Sequence, residues 1–568
     1  MNIEAKLTRI LMKYKSFFLL SIFLFGVGLI CHGYMLFNKL PNFDEVGSVN
    51  GFLGIATPNG RWALPFMGIF NGPFSSPVIN GFLTILFIIL SVFFICDLFQ
   101  IKSKFFMFCI GCLLIAFPTV TSSLTFMFMT FVFTFSLLLE VLAVWLAVSD
   151  IALFPKFQAA NPKAFQCLKF LISACLMATG LGIYQAYYQV ACTVILIYGM
   201  QSLLSDDLRL VWKKALKLFC LLIVSMGIYL IMAKVGCFFS GKEMSVTYGA
   251  GSVPELLANL PHALTRCYRD FASVFYSDFR GISHNLVVRL LITVSFLIGI
   301  CLYEALLLKR HKNLLLGNIL LLLFPIALEV IGFTMVSRGM DTLTVYSYAL
   351  ILVFPFAMLS LCDFKVNTRI LNFLYSCVMI SSLLLTWQYA ILANNVYTTM
   401  DLAKLEASSY YTTMVTQIKS LDHYSTELPL CLLGTNSEDE TLYDLSAYYK
   451  GDVRGQMTCD RYINMYSRHY IRQYDFRRCA YFLSVFLGYD PQVINWQDFI
   501  PAADQQTCLT LQEMPCYPEA GSIAIINDTV IVKLSNDYLT ASSEKPELSD
   551  STTEASKDTT KDIGKTSD

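Results

Sequence analysis

Eleven apolar runs of membrane length, at approximately 16–37, 76–97, 105–121, 124–148, 168–184, 186–203, 218–235, 286–308, 314–334, 343–362 and 371–391, constrain this chain more than any other feature. About 20 apolar residues in helical form cross the hydrocarbon layer of a bilayer. Inside that layer every backbone polar group needs an internal partner, so runs of this kind become spanning helices packed in a bundle. The composition agrees: 56% of residues are hydrophobic, 14% are charged and the mean hydropathy is +0.58, whereas about a quarter of a soluble domain is charged. The expected fold is mainly α, a polytopic membrane protein. Two closely spaced pairs, 105–121 with 124–148 and 168–184 with 186–203, read either as separate spans or as tight hairpins whose tips do not fully cross.

Short-loop basic residues set the expected orientation. With the N-terminus inside, the inner connections carry Lys102 and Lys104; Lys156 and Lys163; Arg209, Lys213 and Lys214; Lys309, Arg310 and Lys312; Lys365 and Arg369. The first run is long and lacks a small-residue cleavage site, which predicts a retained span and not a signal peptide. Zero net charge and the absence of a dominant basic patch argue against nucleic acid as a partner. Most of the 18 cysteines lie within apolar runs, Cys109, Cys112, Cys175, Cys192, Cys220 and Cys301 among them, where Cys acts as a small hydrophobe.

The outer face is then expected to receive residues 38–75, 236–285 and everything after about 391. Residues 1–391 read as the transmembrane domain, 392–539 as a small extracytoplasmic α/β domain, and 540–568, rich in Ser, Thr, Glu, Lys and Asp, as a disordered tail. Within the C-terminal domain, 401–421 reads as helical and Leu428–Gly434 as a buried strand. Asn527-Asp528 between Ser522–Ile526 and Thr529–Leu534 signals a hairpin. Cys508 with Cys516, or Cys459 with Cys479, are candidate disulfides in that compartment. In the loop 236–285, Pro254 and the spacing of Leu256, Leu257, Leu260, Leu264 and Tyr268 predict an amphipathic helix along the outer interface, with Arg266 and Arg269 beside the stripe. A packing helix without a ligand is the equal alternative.

The residues placed to do chemistry lie on the outer side. Asp44 and Glu45 follow the first run in a Gly- and Phe-rich loop, where partial desolvation would suit a carboxylate to take a proton from a hydroxyl; an ordinary solvated pair is the plainer alternative. Arg61, in Gly60-Arg61-Trp62, offers a two-pronged phosphate contact, with Trp62 as an interfacial anchor. Arg338, in a very short outer loop, is a second candidate phosphate clamp. Glu329 lies in the preceding run, where a charge costs about 3 kcal/mol on insertion scales, so a Glu329–Arg338 ion pair competes with that role. Tyr184 and Gln185, at a hairpin tip, could bond sugar hydroxyls or simply belong to the aromatic belt. Glu140 and Glu304 are expected to reach the inner interface.

These elements resemble the bacterial serotype-converting glucosyltransferases, the Gtr-type membrane enzymes that decorate O-antigen. The marks are the acidic pair Asp44 and Glu45 after the first span, the Gly60-Arg61-Trp62 element, the Gly-Ile-Tyr184-Gln185 tip, Arg338 in an outer loop and an extracytoplasmic C-terminal domain. The likeness extends over about residues 10–535, and position 45 departs from it in carrying Glu where a second Asp is expected. The resemblance implies a GT-C-type glycosyltransferase of the bacterial inner membrane. Such an enzyme moves a sugar, typically glucose, from undecaprenyl phosphate to a surface-polysaccharide hydroxyl on the outer face. It implies no cofactor and no metal, inversion at the anomeric carbon, and a flippase and a donor synthase as partners. Asp44 and Glu45 would be catalytic; Arg61, Arg338, Tyr184 and Gln185 would bind substrate. Rival readings are a lipid-linked oligosaccharide flippase, which would carry internal repeats and intramembrane charges along a path, and a surface-polysaccharide polymerase or ligase.

Overall fold

The computed structural model describes residues 15–40, 57–68, 75–151, 155–244, 253–334, 340–362, 368–434, 476–536 and 538. Asp44, Glu45, Arg338, Cys459 and the tail 540–568 lie outside them. The chain divides into two units, one formed mainly by residues up to Glu406 and one beginning at Ala407.

The first unit is a helix bundle. Its elements are α1 (Lys15–Phe37), α2 (Pro77–Leu98), α3 (Lys104–Ala116), α4 (Pro118–Leu124), α5 (Thr130–Val148), α6 (Pro155–Ala160), α7 (Pro162–Ile183), α8 (Tyr188–Ser205), α9 (Leu208–Ser240), α10 (Val253–Tyr276), α11 (Leu286–Lys309), α12 (Leu314–Leu322), α13 (Phe324–Leu328), α14 (Ala349–Leu359) and the part up to Glu406 of α15 (Thr368–Lys419), whose remainder belongs to the second unit. Among the described residues, eight helices are long and apolar enough to cross a membrane, and α3 with α4, bent by 46°, make a ninth crossing if taken together. Two shorter apolar stretches, Leu314–Leu328 and Tyr346–Leu359, coincide with the remaining expected runs. The protein is thus a mainly α, polytopic membrane protein.

Local chemistry fixes where these helices begin. Pro77, Pro118 and Pro162 open their helices, where a missing N–H costs nothing. Asn285 and Asn313 cap α11 and α12 by accepting from the Val288 and Leu316 amides. Packing follows small residues: a side chain at Gly111 would collide with Leu24 and one at Gly81 with Leu36, so α1 sits close against both α3 and α2. His32, fully buried, ties the same region together, with Nδ1 2.9 Å from the Tyr397 hydroxyl and Nε2 2.9 Å from the Ile115 carbonyl.

Where helices break inside the bundle, side chains satisfy the freed backbone, as a bilayer requires. Thr119 donates to the Thr342 carbonyl (2.7 Å), Tyr346 to the Leu114 carbonyl (2.9 Å), and the Gln189 amide to the Thr344 carbonyl. At one end of the bundle, basic side chains meet helix C-termini. Lys217 donates to Ala147, Lys169 to Ser149, Lys312 to Asp206 and Arg310 to Leu361 carbonyls, a favourable placement of cations against the negative pole of a helix.

Glu140 departs from expectation. It lies mid-helix in α5, completely buried, with neither carboxylate oxygen hydrogen-bonded, and does not reach an interface. The cause is close packing of α7 at Gly180, where even a Cβ would stand 2.7 Å from Glu140 Oε1.

In the second unit, a four-stranded sheet runs in the order β2 (Val493–Ile494), β1 (Leu430–Leu433), β4 (Thr529–Lys533), β3 (Ile523–Ile526). Strand β1 is parallel to both neighbours, and β3 and β4 form the antiparallel hairpin. Asn527 and Asp528 both adopt positive φ (49° and 52°), the geometry of a two-residue hairpin turn. Helices α16 (Phe476–Leu487), α17 (Trp496–Ala502) and α18 (Gln505–Glu513) complete the unit. Buried Lys533 donates to the Leu511, Gln512 and Met514 carbonyls and so closes the C-terminal end of α18. Cys508 and Cys516 are free thiols and not the disulfide pair considered from sequence.

Candidate active site

The segment 57–68 does not lie over the bundle as a simple surface loop; it folds into it. Three contacts hold it. The Ala63 amide donates to the Gly182 carbonyl at 2.9 Å, Cys237 Sγ donates to the Thr57 carbonyl at 3.5 Å, and Gln185 Nε2 donates to the Asn59 carbonyl at 2.8 Å. Gln185 also donates to the Tyr229 hydroxyl at 3.0 Å. Gly60, at φ +72°, makes the turn, and a Cβ there would stand 2.4 Å from that hydroxyl. Only glycine meets both demands.

This turn delivers Arg61 to the hairpin tip. Its guanidinium carbon lies 5.1 Å from the centroid of the Tyr184 ring, within the range of a cation–π contact. Tyr184 is itself fixed by Phe133 (ring centroids 4.4 Å) and Tyr187 (5.9 Å). Ser136 on α5 donates to the Gly180 and Tyr184 carbonyls. Tyr184 is buried and Arg61 half-buried, with Arg61 Nε enclosed and lacking a hydrogen-bond partner among the described residues.

Three of the six sequence candidates thus meet: Arg61, Tyr184 and Gln185. Asp44, Glu45 and Arg338 fall outside the described residues. Trp62 packs its ring into the space over Gly182 on α7, and its backbone stands against Gly236 on α9. Sequence reading missed Tyr229 and Ser136, which hold the site from α9 and α5. A lone Tyr or Ser in an apolar run gives no signal of what it faces.

A second polar group lies at the break after α13. The Tyr348 hydroxyl donates to Glu329 Oε1 at 2.6 Å, so the described partner of Glu329 is a phenol. Arg266 and Asp270, both buried on α10, stand in electrostatic reach of Glu329, as does Arg280. Arg266 donates from Nη2 to the Gly332 carbonyl, and Arg269 meets Asp270 at 3.4 Å.

A family model described as glucosyl transferase GtrII matches residues 33–356, more than half of the chain, and that span contains both polar groups. No curated protein and no solved structure matches.

Proposed function

This chain belongs to the GtrII glucosyl transferase family, and from that premise we propose that it moves glucose from a polyprenyl-phosphate donor to a hydroxyl of a surface polysaccharide such as O-antigen, at the outer face of the bacterial inner membrane. The observation that carries the reading is the half-buried Arg61, held over Tyr184 by a loop folded into a bundle of apolar helices. A lipid-linked phosphate approaches from the bilayer, and a guanidinium so held would meet the charge that grows on the departing phosphate. Gln185 and Tyr184 line the same place; with both Gln185 N–H groups on Asn59 and Tyr229, its carbonyl oxygen and the Tyr184 phenol are the groups offered to the sugar.

The reaction is a direct displacement. The acceptor oxygen bonds to C1 of glucose, the C1–O bond to phosphate breaks, the phosphate leaves with its electron pair, and the acceptor proton passes to a carboxylate. Asp44, with Glu45 beside it, is assigned that proton, Arg338 joins Arg61 on the phosphate, and the anomeric centre inverts. In this reading the arginines balance the phosphate charge and no metal is required. The donor is made by a separate synthase and carried across the membrane by a flippase, both working upstream.

The test is Asp44→Asn in reconstituted protein supplied with undecaprenyl phosphate glucose and purified O-polysaccharide. General-base loss is worth about 10²- to 10⁴-fold in rate, so transfer falls by that order while insertion is kept. Undiminished transfer removes Asp44 from the role.

A further inference from the structure

Helix α10 buries two of its four charged residues, Arg266 and Asp270, while Glu255 and Arg269 are exposed and several of its apolar residues face outward. Its buried residues include Ala263, Arg266, Cys267, Asp270 and Val274, whereas Leu257 is 65% exposed and Leu260 and Tyr268 are exposed as well. In water a helix buries its apolar stripe. Against lipid the apolar side turns outward, and ionisable groups held inward mark functional positions.

Arg266 and Asp270 turn toward Glu329, which is 1% exposed. Tyr348 occupies Glu329 Oε1, and Oε2 has no hydrogen-bond partner among the described residues. A buried carboxylate oxygen left unbonded is costly, and its retention is explained if a ligand completes it. Of the buried charges, one guanidinium, Arg266, stands against two carboxylates, Asp270 and Glu329, while Arg269 and Arg280 are exposed. An anionic phosphate would meet that excess of carboxylate, whereas a hydroxyl can donate to it.

We infer that Arg266, Asp270, Glu329 and Tyr348 form a second polar subsite, which receives a hydroxyl of the carbohydrate acceptor, with Glu329 Oε2 as its hydrogen-bond acceptor. The inference rests on the reading that the chain glucosylates a surface polysaccharide, and adds where the acceptor is held. Ring contacts join the two places: Tyr184 to Tyr187 (5.9 Å) and Tyr187 to Tyr346 (5.6 Å), in the same short turn as Tyr348. Pro261 interrupts the hydrogen bonding of α10 and gives this cover a place to bend as the acceptor enters.

Glu329→Gln tests it, because the amide oxygen still accepts from Tyr348 while the second position becomes a donor. Full-length protein in nanodiscs is given undecaprenyl phosphate glucose and delipidated O-polysaccharide. The polysaccharide KM is expected to rise ~10-fold or more, the size of one charged hydrogen bond, with the donor KM within about twofold. Tyr348→Phe, which leaves the carboxylate in place, shifts the same constant in the same direction by less. Equilibrium binding of the polysaccharide without donor gives the comparison free of turnover. A wild-type protein that binds polysaccharide but transfers no glucose refutes the proposed function and leaves the subsite to be judged by the Glu329→Gln Kd. An unchanged polysaccharide constant in Glu329→Gln overturns the subsite. So does a parallel loss for donor and acceptor with lowered thermal stability, the mark of a purely structural group, or a wild-type protein that binds no polysaccharide.

Discussion

Gly182→Ala is the sharpest probe of the infolded loop, since it adds one methyl group at a place where the structure has no room for it. The new Cβ would stand 2.4 Å from Trp62 Cε2, 2.5 Å from Nε1 and 2.9 Å from Cζ2, about 1 Å short of the 3.4 Å at which ordinary contact begins. The helix backbone cannot yield easily, because Gly182 lies in the last turn of α7 and its carbonyl receives the Ala63 amide. The indole must move, and Arg61 is its chain neighbour. Overpacking of this kind costs about 1–3 kcal/mol in stability, whereas a 1 Å misplacement of a binding group costs about 10²-fold in rate. Transfer of radiolabelled glucose to polysaccharide should therefore fall about 100-fold in protein that still inserts and melts cooperatively. Gly199→Ala, whose Cβ would meet nothing within 4 Å, serves as the matched control and should be silent. Gly182→Ala combined with Trp62→Leu removes the ring atoms that the new methyl meets and should regain about tenfold or more. Full activity in Gly182→Ala, or no recovery in the double variant, would refute the claim that this contact positions Arg61.

Gln185→Ala removes the bonds to the Asn59 carbonyl and the Tyr229 hydroxyl. Only the Asn59 bond ties the loop, so at about 1 kcal/mol per bond the loop should loosen by about 1 kcal/mol, read as faster hydrogen exchange at residues 57–64 together with slower transfer; unaltered exchange would count against it. In the C-terminal unit, Lys533→Met leaves the Leu511, Gln512 and Met514 carbonyls without their donor, and should destabilise that unit by about 2 kcal/mol in denaturant titration. Burial lowers the Lys533 pKa from its usual 10.5, so the unfolded state binds the extra proton between the two values. Wild-type stability therefore gains as pH rises toward 10.5, and Lys533→Met should lose that alkaline gain; equal pH slopes would contradict it.

What the sequence determined by itself is the part governed by local rules. Runs such as 76–97 and 286–308 are long enough and apolar enough that, in a bilayer, a helix is the one economical form for their backbone. Asn527-Asp528 announces its turn because few residues tolerate two consecutive left-handed conformations. Tertiary structure alone decided which residues meet. Gln185 and the Asn59 carbonyl are 126 positions apart, and no periodicity records that the loop folds inward. The same holds for Glu140, whose hydropathy cost is visible but whose burial against Gly180 depends on how closely two helices approach. It holds too for α10, where the spacing of Leu257, Leu260 and Tyr268 predicts a stripe but not that Arg266 and Asp270 turn toward Glu329. Hydropathy reports what a side chain avoids; which polar partner it finds depends on packing across the bundle, where small residues and helix breaks set the distances.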